Sequence, residues 1–283
     1  MAAVVPKIIS MQNNFTVSEN EIAQFVINNM DDVVTSTITA VAHNTNTSEA
    51  SINRFCKKLG FKGFNSLKIA LAQENFYGAM NQGGEHDGLS LISSVRQDYN
   101  KMIMNTAAML DENDLIQAAA CIKSAPRVYI FADGATLCVA LDMEFRLTTA
   151  GISAKAVTDL DYCRVAASNI QIREVLLVLV PTITHALYQT LAMAKDRGAF
   201  IMAAISYESP KQNDILDFKF ITSDKIIAQN SVSLSNNLMF LFVMDVLFST
   251  LLKSDKALKQ KKLNSEAAIL GASQSADNYM LNY

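Results

Sequence analysis

Between Ser51 and Ala70 every charged side chain is basic: Arg54, Lys57, Lys58, Lys62 and Lys68. A one-signed surface of this kind attracts phosphate backbones, whose neutralisation supplies most non-specific nucleic-acid affinity. The same residues could equally make a solvated surface helix, and charge alone does not separate the two. Their spacing says where they stand. Ile52, Phe55, Cys56 and Leu59 recur at intervals of three and four, which lines them along one face of a helix. Glu49, Ser51, Asn53, Arg54, Lys57 and Lys58 point elsewhere. Thr47 or Ser48 can cap the start, its side-chain oxygen accepting from a backbone N–H with no partner inside the helix. Gly60 stands where a left-handed residue ends a helix.

Such a helix must be held by neighbours. Residues 1–17 read as a partly ordered lead-in. Ser18 to Glu21 forms a capping box, with Ser18 as N-cap and Glu21 reaching back. Ile22, Phe25, Val26 and Met30 give the helix that follows an apolar face, and Asp31-Asp32 interrupts it. Ser36 to Ala42 fits a second helix, residues 43–47 a turn, and Phe64 to Tyr77 a further helix with Leu67, Ala70 and Leu71 in register. Residues 1–80 are therefore expected as a small all-helical domain. Glycine and small polar residues between Gly78 and Gly88 mark a linker, set at 81–88.

Beyond it the texture changes. Leu89 to Leu110 resumes helical periodicity through Leu91, Val95, Tyr99 and Met102, and Asp111 caps a helix to Lys123. Residues 127–132, 175–180 and 200–205 are short, continuously apolar runs, and 153–157 and 218–221 are plausible further strands. Helical stretches separate them: Thr136 to Ala150, and His185 to Arg197 closed by Gly198. Apolar strands without polar alternation, spaced by helices, imply a mostly parallel five-stranded sheet covered on both faces. The expected second domain is residues 89–255, an open α/β sheet that binds ligands at the carboxyl ends of its strands. Ser231 to Leu252 reads as an apolar helix packed on the sheet or on a second subunit. Residues 256–283 are expected as a solvated helix followed by a loose tail.

The chain has 283 residues, 50% hydrophobic and 18% charged, so it has material for about two domains with real cores. Its net charge of -3 argues against a protein that coats nucleic acid generally, not against a local basic face. Cys56, Cys121, Cys138 and Cys163 form no C-x-x-C pair and each has apolar neighbours, as buried reduced thiols of a reducing cytoplasm would. His43, His86 and His185 are scattered without metal-ligand spacing, so no metal or cofactor is expected. The start of the chain lacks the apolar run of a signal peptide, and Leu238 to Leu252 is shorter than the roughly 20 residues a membrane span needs. A cytoplasmic protein with no membrane partner is expected.

The segment from Ser48 to Glu74 resembles the N-terminal domain of RpiR-type bacterial transcription regulators, with similarity from about Phe15 to Phe76. The resemblance implies a helix-turn-helix that binds double-stranded operator DNA through the Ser48–Leu59 helix. Ser48, Ala50 and Ser51 would then approach base edges. Asn53 and Arg54 would make bidentate contacts to adenine and guanine. Lys57, Lys58 and Lys62 would hold phosphates, which fix register without reading sequence.

The second half, about Leu110 to Lys253, resembles the sugar isomerase (SIS) domain that such regulators carry as effector domain. Two loops would hold the ligand. The first reads Ala132-Asp133-Gly134-Ala135-Thr136, which keeps the second glycine and the hydroxyl of the family's pattern but not the first glycine. The second reads Leu179-Val180-Pro181-Thr182-Ile183-Thr184, where only Thr184 matches a serine-rich family loop. The resemblance implies effector contacts from Gly134, Ala135, Thr136, Thr182 and Thr184, with Ser209 at the rim. Pro181 has no N–H to donate and Thr182 stands where glycine would allow close approach. Three readings stay open: a sugar phosphate still binds, a less anionic ligand has replaced it, or the domain only dimerises. The expected function is a regulator of carbohydrate metabolism, a homodimer or tetramer sensing a sugar phosphate or related metabolite. A sugar-phosphate isomerase is the alternative. No carboxylate–histidine pair stands near the loops, and Glu144 has a structural setting.

Overall fold

The computed structural model describes residues 4–81, 91–223 and 234–280. It divides into two compact units. One comprises Met1–Leu110 with Ser206–Lys211 and Ile221–Met239, the other Asp111–Ile205 with Gln212–Phe220 and Phe240–Tyr283.

In the first unit α1 (Val4–Ser10), α2 (Val17–Asn28), α3 (Met30–Thr35), α4 (Ile38–Asn44), α5 (Glu49–Lys58) and α6 (Phe64–Asn81) follow in order. They enclose Val4, Ile8, Ile22, Val26, Val33, Val41, Ile52, Phe55, Leu59, Leu67 and Leu71. The expected lead-in is thus partly wrong. Val4 and Ile8 are fully buried, and the Val4 N–H donates to the Glu74 carboxylate at 2.7 Å. Burial pushes the Glu74 carboxyl up, and the Val4 and Val5 N–H groups pull it partly back. The capping box lies two residues earlier than expected: Thr16 accepts from the Glu19 N–H, and the Glu19 side chain accepts from the Thr16 N–H. The pre-turn helix likewise starts later, at Ile38, with Thr37 accepting from the Ala40 N–H. Residues 82–88 of the expected linker lie outside the described residues.

Helix α7 (Leu91–Met109) was expected with the second domain, but it belongs to the first compact unit. Its Met102 is buried against Leu234 and Met239, and its Thr106 hydroxyl accepts from the Ser223 N–H at 3.0 Å.

The second unit opens with α8 (Glu112–Ser124), capped by Asp111 as expected. Its sheet consists of β1 (Val128–Ala132), β2 (Ala154–Val157), β3 (Val175–Leu179), β4 (Phe200–Ile205) and β5 (Phe218–Ile221), in the order β2-β1-β3-β4-β5. The β1–β2, β1–β3 and β3–β4 pairs are parallel. Every residue of β3 is buried, which is the reason its sequence shows no alternation. The crossovers are α9 (Leu137–Thr149), α10 (Leu160–Asn169) and α11 (His185–Asp196), the last closed by Gly198 at φ +82°.

Helices α12 (Asn237–Ser254) and α13 (Lys256–Met280) end the chain. Residues 231–233, expected to begin α12, lie outside the described residues. By length and composition alone α12 could cross a membrane, yet here Phe240, Val243, Met244, Leu247 and Leu251 are fully buried in protein. The loose tail gives way to helix up to Met280. Asp255 caps it by accepting from the Ala257 N–H at 2.7 Å. Cys56 and Cys163 are buried as expected, but Cys121 is half-buried and Cys138 exposed.

Candidate nucleic-acid interface and effector cleft

Ser48 starts α5 by accepting from the Ser51 N–H at 3.1 Å. The preceding turn is fastened from within. The Thr45 hydroxyl donates to the Val41 carbonyl at 2.8 Å, and the Thr47 N–H donates to the Ala42 carbonyl at 2.9 Å. Ile52, Phe55, Cys56 and Leu59 are buried, and Gly60 ends the helix at φ +83°. The opposite face carries exposed Ala50, Arg54 and Lys57, with half-buried Ser51, while Lys62 is exposed in the following turn. Arg54 Nη2 donates to Ser51 Oγ at 3.1 Å, and Ser51 Oγ lies 2.9 Å from Ser48 Oγ. Glu49, in the first turn of α5, accepts from the Thr39 hydroxyl at 2.5 Å.

Lys58 and Asn53, both expected DNA contacts, tie α5 to other parts of the domain. Lys58 Nζ donates to the Glu19 carboxylate and the Asn14 carbonyl, each at 2.7 Å, and sits 5.5 Å from the Phe15 ring centroid. Partial burial works to raise the Glu19 pKa, but the bonds from Lys58 and Thr16 leave it below the usual carboxylate value. Asn53 Oδ1 accepts from the Phe64 N–H at 3.3 Å. A side chain on Gly63 would meet the same oxygen at 3.3 Å, so glycine lets Asn53 brace the turn. No ion pair engages Arg54, Lys57 or Lys62 among the described residues.

In the second unit a cleft of about 130 Å³ opens at the carboxyl ends of β1 and β3. Phe131, Asp133, Leu160, Val180, Pro181, Thr182, Thr184 and Leu187 line it. Between β1 and β3 the strand order reverses direction, the position at which doubly wound sheets bind ligands. A larger depression of about 420 Å³, lined by Arg127, Tyr129, Lys155 and Tyr162 among others, lies at the starts of β1 and β2. Helix N-termini converge at the other end, so the smaller cleft is the candidate.

The hydroxyls of the two loops are not equivalent, and Thr136 is not among the lining residues. Thr136 is 2% exposed. It donates to the Leu179 carbonyl at 2.6 Å, which bolts the first loop to the end of β3. Thr184 caps α11, accepting from the Leu187 N–H at 3.3 Å. Thr182 is exposed at the cleft. Gly134, at φ +58°, and Ala135 are exposed beside the cleft but not among its lining residues. Ser209 lies in the loop after β4, in the other compact unit. Glu144 is a strand clamp: Oε2 accepts from the Ala156 N–H at 2.7 Å and Oε1 lies 3.6 Å from Lys155 Nζ.

Residues 2–76 match the helix-turn-helix domain of the rpiR family. The chain thus carries an rpiR-family helix-turn-helix domain at its N-terminus. It is 26% identical over 253 residues to an uncharacterised HTH-type transcriptional regulator of Caldanaerobacter subterraneus, covering 88% of this chain and 90% of the relative. Similarity to the HTH-type regulator HexR of Pseudomonas aeruginosa is 26% over 221 residues, 74% of this chain and 75% of HexR. In fold it resembles the Vibrio vulnificus NanR protein complexed with ManNAc-6P, with TM-score 0.58 and 19% identity over 95% of this chain and 98% of that one. The sugar isomerase domain of an RpiR transcription factor from Sphaerobacter thermophilus aligns at TM-score 0.54 and 17% identity, covering 64% of this chain and 98% of that one.

The outward side of α5 is exposed and basic. Of the expected DNA contacts, Arg54, Lys57 and Lys62 are exposed, while the engagement of Lys58 by Glu19 and Asn14 leaves no local signal in the sequence. Of the expected effector residues, Thr182 and Thr184 line the cleft. Asp133, Phe131, Leu160 and Leu187 also line it and were not expected as contacts; the last three come from a strand and two helices and look like ordinary core.

Proposed function

We propose that this chain is an RpiR-type regulator that controls genes of carbohydrate metabolism. In this reading it is a cytoplasmic homodimer that reads its operator through Ser48, Ala50, Ser51, Asn53 and Arg54 and holds phosphates through Lys57 and Lys62. The single observation that carries the DNA reading is the outward side of α5, where Arg54 and Lys57 are exposed and engaged in no ion pair among the described residues. Lys58, engaged by Glu19, takes at most a secondary part.

The second domain, on this proposal, senses a sugar phosphate or a related metabolite at the β1–β3 cleft. The support is the position of the cleft at the strand-order reversal and the fold likeness to NanR complexed with ManNAc-6P. An effector that binds one dimer geometry better than another would shift the spacing of the two recognition helices and thereby operator affinity.

The test is operator selection from fragmented genomic DNA with the full chain, followed by titration of the selected site with wild type and Arg54→Ala. If Arg54 touches a base, its truncation weakens binding by roughly 1–3 kcal/mol and relaxes specificity at one position. An Arg54→Ala protein that footprints the site as tightly as wild type removes this face from the reading. Incubation with aldose and ketose phosphates tests the isomerase alternative, and measurable interconversion would replace the regulator reading.

A further inference from the structure

We infer that the β1–β3 cleft takes an unphosphorylated ligand, one that presents hydroxyl or ammonium donors to Asp133. This deepens the effector reading above and rests on it. Of the eight lining residues, Asp133 alone is ionisable, and it is an acid; no Lys, Arg or His side chain contributes. The Asp133 carboxylate is exposed and caps no helix, since the turn that starts at Gly134 has no side-chain cap bond. An anion brought beside it meets like charge with no compensating cation in the lining.

The neutral donors that could offset this are reduced one by one. The Thr136 hydroxyl proton goes to the Leu179 carbonyl and the side chain is buried. The Leu187 N–H of the first turn of α11 is taken by Thr184 Oγ1, which accepts it and keeps its own hydroxyl proton. Pro181 brings no N–H to the loop that faces the cavity. The Thr182 and Thr184 hydroxyls and the rest of the first turn of α11 remain, neutral donors against a carboxylate across the cleft.

The remaining surface is apolar: Phe131, Leu160, Val180, Pro181 and Leu187. A volume of about 130 Å³ is small beside the roughly 300–1,000 Å³ of sites for drug-sized ligands. A polyol or amino sugar fits this chemistry. Its C–H faces lie on the apolar wall and its O–H or N–H donors reach Asp133, where each bond to a charged acceptor is stronger than a neutral one.

The test uses the full chain and thermal shift with defined probes: inorganic phosphate, glucose 6-phosphate, glucose and glucosamine. Three proteins are compared: wild type, a triple variant Asp133→Ser, Pro181→Ser, Thr182→Gly, and the cleft-filling Thr182→Trp. Wild type is expected to respond to glucosamine or glucose and at least tenfold less to inorganic phosphate and glucose 6-phosphate. The triple variant is expected to reverse that order. A wild-type response to glucose 6-phosphate that equals or exceeds the response to glucosamine, and that Thr182→Trp abolishes, overturns the inference and leaves the cleft as effector site. Responses that Thr182→Trp leaves intact put the ligand elsewhere and overturn the cleft reading together with the inference. If no probe moves wild type and the triple variant gains no phosphate response, the cleft reading also falls.

Discussion

Lys57 and Lys58 are adjacent in sequence and differently engaged. Lys58 is bound to Glu19 and Asn14, whereas Lys57 is exposed and engaged in no ion pair among the described residues. Lys57→Ala is therefore expected to leave thermal stability unchanged and to reduce the salt dependence of DNA binding by about one phosphate contact per subunit. Lys58→Ala is expected to cost about 0.2–1 kcal/mol of stability, since the pair is only partly buried, with little change in the salt slope. Titration of operator binding against salt, alongside melting curves, separates them. Acid sharpens the same point. Because the folded-state pKa of Glu19 is lowered, its contribution is present above the ordinary carboxylate value and is lost as pH falls through the depressed one. Glu19→Gln should flatten that acid limb of the stability curve. Thiols give a second check on burial. Burial pushes Cys56 and Cys163 up to about 12, so both should resist a thiol reagent at neutral pH until the protein unfolds, while exposed Cys138 reacts at once. Rapid labelling of Cys56 in the native protein would contradict the packing of α5.

At the level of elements, what could be read from sequence was what local chemistry fixes. Gly60 and Gly198 end their helices at positive φ, as their positions after apolar periodicity implied. Gly60→Ala is expected to destabilise the first unit by about 1–2 kcal/mol, the cost of a left-handed non-glycine residue; chemical denaturation measures it. The three continuously apolar runs became β1, β3 and β4, because strands buried on both faces leave no polar alternation to misread, and the two plausible further strands became β2 and β5. The capping box was misplaced because two patterns overlap: Thr16 to Glu19 and Ser18 to Glu21 both carry a hydroxyl and a glutamate three apart. Tertiary contacts choose between them. Phe15 packs on Phe55 with centroids 5.3 Å apart, and Lys58 reaches Glu19, so the chain must turn into α2 at Thr16. Neither contact is visible in a local window. The same is true of α1, whose N-terminus depends on Glu74, seventy residues away. The cleft was half legible for a related reason. Hydroxyls and acids in loops stand out, but Phe131, Leu160 and Leu187 become a wall only once the sheet brings three elements together.

For the molecule as a whole, the proposed function makes full-operator affinity depend on pairing two α5 helices, because one helix-turn-helix reads only a half-site. A pairing surface should be apolar and outside the sheet's own core. Helix α9 presents Leu141 and Phe145 one turn apart, 51% and 58% exposed. Helix α13 packs along it, its Ser265 hydroxyl donating to the Thr149 carbonyl at 3.0 Å, and adds exposed Leu263, Ile269 and Leu270. Apolar groups clustered this way mark an association surface more often than an inert one. If the proposed homodimer uses it, Leu141→Glu with Phe145→Glu should leave the fold within about 0.5 kcal/mol, since both side chains already face solvent. The variant should then elute as a monomer and bind the full operator roughly 10²–10⁴-fold more weakly, because the second half-site no longer binds intramolecularly. Affinity for an isolated half-site should not change, since α5 and its basic face are untouched. Light scattering and titration of full and half operators measure both quantities on one preparation. A double-glutamate variant that remains dimeric and binds the full operator as wild type does would move the pairing surface away from α9 and α13. A variant that turns monomeric yet keeps full-operator affinity would break the link between pairing and recognition itself.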